Sequence, residues 1–532
     1  MFLPLKAVRL TGLLFHIILT LILSSNQTSG QETGGTSVYD RLLRIEIPAK
    51  SDNETYKLIP CGKKGVILFY RSVETAEQDK VKWYFTLYDK NLLTVWTKSI
   101  GLVNTLEYKD FSKDADTVCF VFRNSGKAKD AEFNFQIIRL DLQKGVFRGN
   151  IWKMPENSEL IDVNVYRNIA YLGFNVKNEP ARLMIFNLQT GDQNISTLSI
   201  GSVSSFTQIY LDTAKGRSYT AIRKMIVRNQ SEFILTVFDL NGKLISEIPV
   251  TSPTPEHNLN AIRFIPIDTN EILVAGSYGS PPVQKGSSKN EMPGESTGFF
   301  FSRISNNQQQ SISYYNFLEL KNANQLITEK NVQNLKKKAQ KKEKDTDEYS
   351  IDLTLLLHPL EKKNDEIIIV AESFFPQYHT ENFTDYDFYG RPFTNTYSVF
   401  DGYRFTNSII AGFDKSGKLL WDNAIDIRNL LSFELNPKVT CHEQGKYVVM
   451  AYQGDGKIAS KIIQQNEIIE KLDYTPVDLQ YPNDKLISET KSMMIPWYDN
   501  FFLSYGYQEI KNIALERNNK RLVYYFNKIR FD

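Results

Sequence analysis

The stretch GFDKSGKLLWDN, from Gly412 to Asn423, has a counterpart far upstream in LYDKNLLTVWTK, from Leu87 to Lys98, which carries Asp and Trp at the same separation of seven residues. Asp or Asn at a strand end can bond forward to the backbone, and Gly takes the positive φ that a tight turn needs. Both segments therefore predict two antiparallel strands joined by a tight turn. The same turn recurs in RLDLQKGVFRGN (Arg139 to Asn150), IFNLQTGDQNIS (Ile185 to Ser196) and VFDLNGKLISEI (Val237 to Ile248).

Around these hairpins the chain divides into repeating units of four short strands, each about 45 to 60 residues long. The last unit, which begins near Lys491, offers only three strands, whereas the segment RLLRIEI at 41–47 belongs to no unit. That segment can complete the last sheet and close a ring without unpaired edges. The sequence therefore predicts an all-β, eight-bladed β-propeller over residues 38–532, closed by strand 41–47. Seven blades is the alternative, and a two-sheet sandwich does not explain the surplus strand.

The first 29 residues predict a secretory signal peptide. Lys6 and Arg9 precede an apolar run from Leu13 to Leu23, and small polar residues follow. No Cys follows the run, so we expect an exported protein that is not a lipoprotein and that is periplasmic or associated with the outer membrane.

Charge and cysteine content exclude some classes of function. The leader holds two of the 63 basic residues and none of the 61 acidic ones, so the rest of the chain is neutral overall, which argues against a nucleic-acid partner.

Cys61, Cys119 and Cys441 are too few and odd in number for a disulfide framework, and buried thiols are expected. Sparse cysteine after an export signal favours a bacterial envelope.

The segment FDKSGKLLW, from Phe413 to Trp421, resembles the Asp and Trp repeat of propellers related to quinoprotein dehydrogenases. The resemblance implies a propeller but not the pyrroloquinoline quinone cofactor, because this chain has five Trp and no adjacent Cys pair. We therefore expect no cofactor. Non-enzymatic relatives, such as the propeller accessory of the bacterial outer-membrane assembly machinery, are the closer analogy. The YDFYGRPF segment, from Tyr386 to Phe393, is also similar to exported propellers of Bacteroidota.

Three insertions interrupt the repeats: 277–297 within unit five, a Lys-rich helical insertion at 321–349 (helix near 320–344), and an aromatic-rich loop insertion at 373–407 within unit six. All three are predicted to open on one face of the disc, where loops on a rigid scaffold commonly bind partners. The lysine run is either a solvated helix face or a basic surface for an anionic partner. Its candidate residues are Lys336, Lys337 and Lys338.

The aromatic insertion is either a miniature core over its blade or a recognition surface, since Tyr and Arg are enriched in protein interfaces. Tyr beside Asp would also suit a glycan. The candidate binding residues are Tyr378, His379, Asp385, Tyr386, Asp387, Tyr389, Arg391, Tyr403 and Arg404.

No catalytic or metal-binding motif is found, and the histidines lack ligand spacing. We therefore expect a non-enzymatic interaction or scaffold module with an envelope protein partner, acting as an accessory subunit of an outer-membrane complex. The alternative is a glycan-binding protein or a carbohydrate-active enzyme (glycoside hydrolase or lyase), which needs only two well-placed carboxyls.

Overall fold

The computed structural model describes residues 43–531 apart from positions 53, 78, 125–133, 155, 156, 197–202, 228, 229, 280–293, 328–350, 387 and 518. The predicted leader lies outside the described residues. So do Lys336, Lys337, Lys338 and Asp387.

Eight antiparallel sheets form the molecule, and the first strand of the chain, β1 (Leu43–Pro48), belongs to the last of them. Blade one contains β2 (Lys57–Pro60), a 3-10 helix (Gly62–Lys64), β3 (Val66–Glu77), β4 (Lys80–Tyr88) and β5 (Thr94–Val103). Blade two contains β6 (Leu106–Asp114), β7 (Thr117–Asn124), β8 (Asn134–Asp141) and β9 (Val146–Lys153). Blade three contains β10 (Ser158–Tyr166), β11 (Ile169–Val176), β12 (Arg182–Asn187) and β13 (Gln193–Ser196). Blade four contains β14 (Ser204–Asp212), β15 (Arg217–Val227), β16 (Gln230–Asp239) and β17 (Leu244–Val250).

The second half of the chain continues this order. Blade five contains β18 (Asn258–Pro266), β19 (Glu271–Gly279), β20 (Ser296–Ser305) and β21 (Gln308–Asn316). Blade six contains β22 (Leu355–Leu357), β23 (Glu361–Lys363), β24 (Glu366–Tyr386), β25 (Pro392–Asp414) and β26 (Leu419–Ser432). Blade seven contains β27 (Thr440–Gln444), β28 (Tyr447–Gly454), β29 (Lys457–Gln464) and β30 (Glu467–Pro476). Blade eight contains β31 (Asp484–Tyr498), β32 (Phe501–Asn512), β33 (Lys520–Arg530) and β1.

The predicted ring closure is confirmed. β1 pairs antiparallel with β33, from Leu43 opposite Lys528 to Pro48 opposite Val523. The fold is therefore an eight-bladed β-propeller, and the seven-bladed alternative is excluded. Pairing the N-terminal strand with the C-terminal one covers a sheet edge that would otherwise be exposed.

Apolar side chains fill the space between neighbouring blades, because both faces of each sheet pack against another sheet. The cluster between blades one and two contains Trp83, Phe85 and Phe120, each at most 2% exposed. Trp96 lies at this boundary, and its indole N–H donates to the Leu142 carbonyl in the turn of blade two. Trp421 occupies the boundary of blades six and seven. Both Trp residues therefore pack between neighbouring sheets.

The repeated turn has the same side-chain hydrogen bonds in blades one, four and six. Asp414 Oδ1 accepts from the N–H groups of Ser416 and Lys418, and Gly417 adopts a φ of 88°. In blade one, Asp89 makes the equivalent bonds, but the positive φ falls on Leu92. The side-chain bonds of the Asp residues therefore define the turn even where glycine is missing.

Blade six departs from the regular pattern. β22 and β23 together occupy the position of one inner strand, and the segment between them contains Pro359, which cannot donate to a ladder. A short helix, α1 (residues 321–327), precedes this blade. Leu320, Ala323 and Ile327 are at most 2% exposed and pack between blades five and six. The apolar side of the predicted helix is therefore part of the core.

Candidate functional site

The second and third strands of blade six continue beyond the sheet as a two-stranded ribbon, defined here as Phe375–Tyr386 of β24 and Pro392–Tyr403 of β25. β22 pairs with β24 only as far as Ser373, and β26 pairs with β25 only as far as Tyr403. Beyond these points no strand in the described part of the chain pairs with either edge of the ribbon. At about 3.3 Å per residue the ribbon is roughly 35 Å long.

This ribbon differs from the loop that the sequence predicted at 373–407. The backbone is held by a continuous antiparallel register from Glu366 opposite Asp414 to Tyr386 opposite Pro392, with irregularities after Ser373 and Gln377. The aromatic side chains do not form a miniature core, because most of the rings beyond Phe374 remain exposed. Hydrogen bonds between the two strands, rather than ring burial, therefore order the segment.

The alternation of side chains along paired strands gives the ribbon two faces. One, named here the ring face, carries His379, Glu381, Phe383, Asp385, Phe393, Asn395, Tyr397 and Val399. The other, named the hydroxyl face, carries Tyr378, Thr380, Asn382, Thr384, Tyr386, Pro392, Thr394, Thr396, Ser398 and Phe400.

The ring face presents aromatic surface to solvent. Phe383, Phe393 and Tyr397 are 52%, 45% and 50% exposed. The rings of Phe383 and Tyr397 meet edge to face with centroids 5.7 Å apart, so they hold one another in place. Asp385 lies beside them and accepts a hydrogen bond from the Asn395 amide, 3.2 Å away. The face thus combines ordered rings with carboxylates.

His379 stands at the base of the ring face between two carboxylates. Its Nε2 lies 3.1 Å from Glu381 Oε1, and its Nδ1 bonds with Asp401 Oδ1. These bonds with Glu381 and Asp401 raise the pKa of His379 above its ordinary value. Lower pH therefore strengthens the contacts that brace this end of the ribbon.

The tip and the base of the ribbon are also aromatic. At the tip, Phe388 and Tyr389 are 98% and 79% exposed, and the Arg391 guanidinium lies 5.7 Å from the Tyr389 ring. At the base, Tyr403 packs edge to face on buried Phe374. The base is therefore rooted in the core of blade six.

The predicted binding residues are divided among these parts. His379 and Asp385 lie on the ring face, and Tyr378 and Tyr386 lie on the hydroxyl face. Arg404 lies at the base, where its Nε donates to Gln377. The residues that sequence reasoning missed are Phe383, Phe393, Tyr397, Phe388 and the exposed Phe433 just after β26. The two-residue alternation of HTENFTD and FTNTYSV was the signal that could have identified the first three.

The described part of α1 does not lie beside the ribbon. Asp422 of β26 accepts hydrogen bonds from the backbone N–H groups of Lys321, Asn322 and Ala323, at 2.8 to 2.9 Å. The Asn322 amide also donates to the carbonyl of Asn466, in a turn at the end of the sheets opposite the ribbon. The expectation that all the insertions share one face therefore does not hold for residues 321–327.

Two carboxyls near the propeller axis have no counterpart among the predicted site residues. Asp110 on β6 and Asp162 on β10 each follow a β-bulge on an inner strand. Burial raises the pKa of Asp110 to about 6, and the charge of Asp162 adds to the rise. Asp162 Oδ2 accepts from the Ile209 N–H at 2.7 Å, a bond to the next blade. The segments YKDF and LIDV, at equivalent places in units two and three, were the signal for this pair.

Two cavities in the described part of the chain carry mixed charge. A cavity of about 470 Å³ on blade eight is lined by Asp52, Glu509 and Lys520. A cavity of about 230 Å³ between blades six and seven is lined by Glu366, Glu443 and Lys446 among others.

Within the described ranges no cluster of three or more His, Cys, Asp or Glu side chains is arranged to hold a metal ion. In the same ranges no helix is long and apolar enough to cross a membrane.

No family model matches the chain, and neither does any curated protein. Solved structures show the fold alone. Polysaccharide lyase Uly1 is 8% identical, with 81% of this chain and 90% of that chain covered and a TM-score of 0.36. The dihydro-heme d1 dehydrogenase NirN is 10% identical, with 85% and 81% covered and a TM-score of 0.38. A prolyl endopeptidase is 8% identical, with 80% and 51% covered and a TM-score of 0.39. The chain is therefore assigned as a β-propeller from its own eight sheets and their ring closure.

Proposed function

We propose that this protein is an exported, non-enzymatic interaction module of the bacterial cell envelope, an accessory subunit of an outer-membrane protein complex. The observation that supports the proposal is the ring face of the ribbon, where Phe383, Phe393 and Tyr397 are held in a β-ladder and yet half exposed. Contiguous exposed aromatic surface on an ordered element is typical of protein-binding sites.

The charges on this surface indicate the chemistry of the partner. The formal charges on the ring face itself are those of Glu381 and Asp385, and Asp401 lies next to His379 at its base. Arg404 is at the base and bonded to Gln377. A partner surface that complements the face would therefore have an apolar centre and Lys or Arg around it.

The proposed location follows from the leader. Lys6, Arg9 and the apolar run from Leu13 to Leu23 have the pattern of an export signal, which supports this location. Lys336, Lys337 and Lys338 lie outside the described residues. Their contact with an anionic surface or a glycan is a separate prediction.

A pull-down from native membranes tests the proposal. The double variant Phe393→Ala/Tyr397→Ala removes two rings of the ring face, and we expect at least about a tenfold loss of partner capture. The matched control is Thr380→Ala/Thr384→Ala, which shortens two side chains on the hydroxyl face. Equal capture by both variants would contradict the proposal.

A carbohydrate-active enzyme is the second candidate, and the Asp110 carboxyl favours it. A partly buried carboxyl with a pKa of about 6 that feels the charge of a second carboxyl is a common arrangement for general acid catalysis. Under this candidate the protein degrades an envelope or environmental polysaccharide, and Asp110→Asn abolishes the activity. Degradation that survives Asp110→Asn, or no degradation of a panel of acidic and neutral polysaccharides, counts against it.

A further inference from the structure

The two edges of the ribbon differ in charge. On β24 the exposed stretch from His379 to Tyr386 carries Glu381 and Asp385. On β25 the stretch from Pro392 to Phe400, PFTNTYSVF, carries no charge at all and is rich in β-branched and aromatic residues. Natural proteins protect exposed edge strands with charged side chains, bulges or coverage. The outer edge of β25 has none of these between Pro392 and Phe400 among the described residues, so it is suited to receive another strand.

The sequence of this edge complements itself. If two copies of β25 pair antiparallel about Thr396, every cross-strand pair is neutral, and several are types that stabilise sheets. Hydroxyl groups face hydroxyl groups, and an aromatic ring faces a β-branched side chain. The pairs are Thr396 with Thr396, Asn395 with Tyr397, Thr394 with Ser398 and Phe393 with Val399.

The ends of the ribbon fit the same register. Pairing about Thr396 brings the tip of one ribbon, with Phe388 at 98% exposure, to the base of the other. There β26 ends at Ser432 on the outer side of β25, and Phe433 follows with 68% exposure. The Phe433 ring lies 6.2 Å from that of Phe400, so it stands beside the edge. In the symmetric dimer, Phe388 of each copy would therefore cover Phe433 of the other copy.

We propose that two copies of this chain associate through the outer edges of their β25 strands, forming a four-stranded intermolecular sheet with a two-fold axis at Thr396. The interface is isologous, since the same edge serves both copies. It goes beyond the proposed function, because it concerns backbone pairing along the outer edge of β25, although Phe393, Asn395, Tyr397 and Val399 of that strand also belong to the ring face. A two-fold axis perpendicular to the sheet places both ring faces on the same side, so the dimer presents two partner-binding surfaces side by side.

Cysteine cross-linking of the mature protein tests the register. Thr396→Cys places two thiols opposite each other on the two-fold axis, at a Cα separation within the range of about 4.4 to 6.8 Å that a disulfide accepts. With oxidised glutathione as the oxidant, we expect a disulfide-linked dimer. The matched control is Thr384→Cys, on the same face of the neighbouring strand, which should give no more dimer than the unmodified protein. Equal cross-linking of the two variants would overturn the proposal.

Light scattering tests the association without cross-linking. The mature protein should have the mass of two chains, and Thr396→Lys, which sets two like charges opposite each other, should weaken the dimer by at least about tenfold. Thr384→Lys adds the same charge to the other edge and should leave the dimer intact. A monomer at all concentrations overturns the proposal. A monomeric protein that still captures its partner through the ring face leaves the proposed function standing.

Discussion

The seam between blades eight and one and the ribbon of blade six are built from similar residues but differ in burial. At the seam, Tyr56 stacks on Tyr524 with centroids 5.1 Å apart, and Tyr507 and Tyr524 are 3% and 2% exposed. Burial raises the pKa of all three phenols. On the ribbon, Tyr397 and Tyr389 are 50% and 79% exposed. Aromatic content alone therefore does not distinguish a core from a binding surface.

What distinguishes the two regions is the number of elements that cover the rings. Each ring at the seam lies between two sheets, and β1 closes the outer side with Leu43, Ile45 and Ile47, which belong to the same apolar cluster. The opposite face of β1 is anchored by polar bonds, because Arg44 donates to Glu46 and to Gln508, each at 2.8 Å, and Glu46 also accepts from Arg521. The ribbon has one layer and no covering element among the described residues. The seam should therefore control stability, and the ribbon should control binding.

Removal of β1 should have the largest effect. A mature chain that begins at Ala49 leaves the edge of β33 unpaired, and we expect the free energy of unfolding to fall by at least about 4 kcal/mol. Replacing residues 376–402 with Asn-Gly removes the ribbon instead and should change it by less than about 1 kcal/mol. Denaturant unfolding measures both. Similar losses in the two variants would remove the distinction between seam and ribbon.

Two glycines in turns, one in the core of the propeller and one on the ribbon, should differ in their tolerance of a side chain. Gly417 has a φ of 88°, and a Cβ there would lie 2.4 Å from the Phe301 ring of blade five, so Gly417→Ala should cost about 2 to 4 kcal/mol. Gly390 at the ribbon tip has a φ of 74° with no atom within 4 Å of the position. Gly390→Ala should therefore cost only about 1 kcal/mol, from the backbone alone. Thermal unfolding of the two variants measures the difference in stability. Equal losses would contradict the close packing of Gly417 against Phe301.

The smallest effect concerns pH. His379 has a pKa raised by Glu381 and Asp401, so its contribution is complete below the ordinary value of 6.5 and is lost as the pH rises through the higher folded value. An NMR titration of His379 should show this higher pKa. Asp401→Asn and Glu381→Gln should each move it down toward the ordinary value, whereas no movement in either variant would exclude the proposed contacts.

The sequence predicted the propeller well because strand period and turn chemistry act locally. The eight units and the pairing of the N-terminal strand needed only the alternation of apolar residues and a count of strands. The ribbon was not predicted to be β-strand, because Gly402 and the prolines at 376 and 392 are residue types that are typical of loops. The structure accommodates Gly402 beside a register irregularity and Pro392 at a strand end.

The candidate site was predicted in part. The aromatic segment was identified, but its division into two faces depends on the register of β24 with β25, which pairs Phe383 with Asn395. The position of α1 could not be predicted, because it depends on Asp422, about a hundred residues further along the chain, capping its first turn. Asp110 and Asp162 come together only when blades two and three pack. These three features depend on contacts between residues that are distant in the sequence, and local sequence patterns do not predict such contacts.

Photo-cross-linking in intact cells tests whether the ring face of the ribbon binds an envelope protein. A photoreactive amino acid at Tyr397 on the ring face should give an adduct with one envelope protein, and the same group at Thr380 on the hydroxyl face should not. Mass spectrometry identifies the partner and separates it from adducts with a second copy of the chain. An adduct of equal yield from Thr380, or none from Tyr397 in cells that make the protein, would contradict the account.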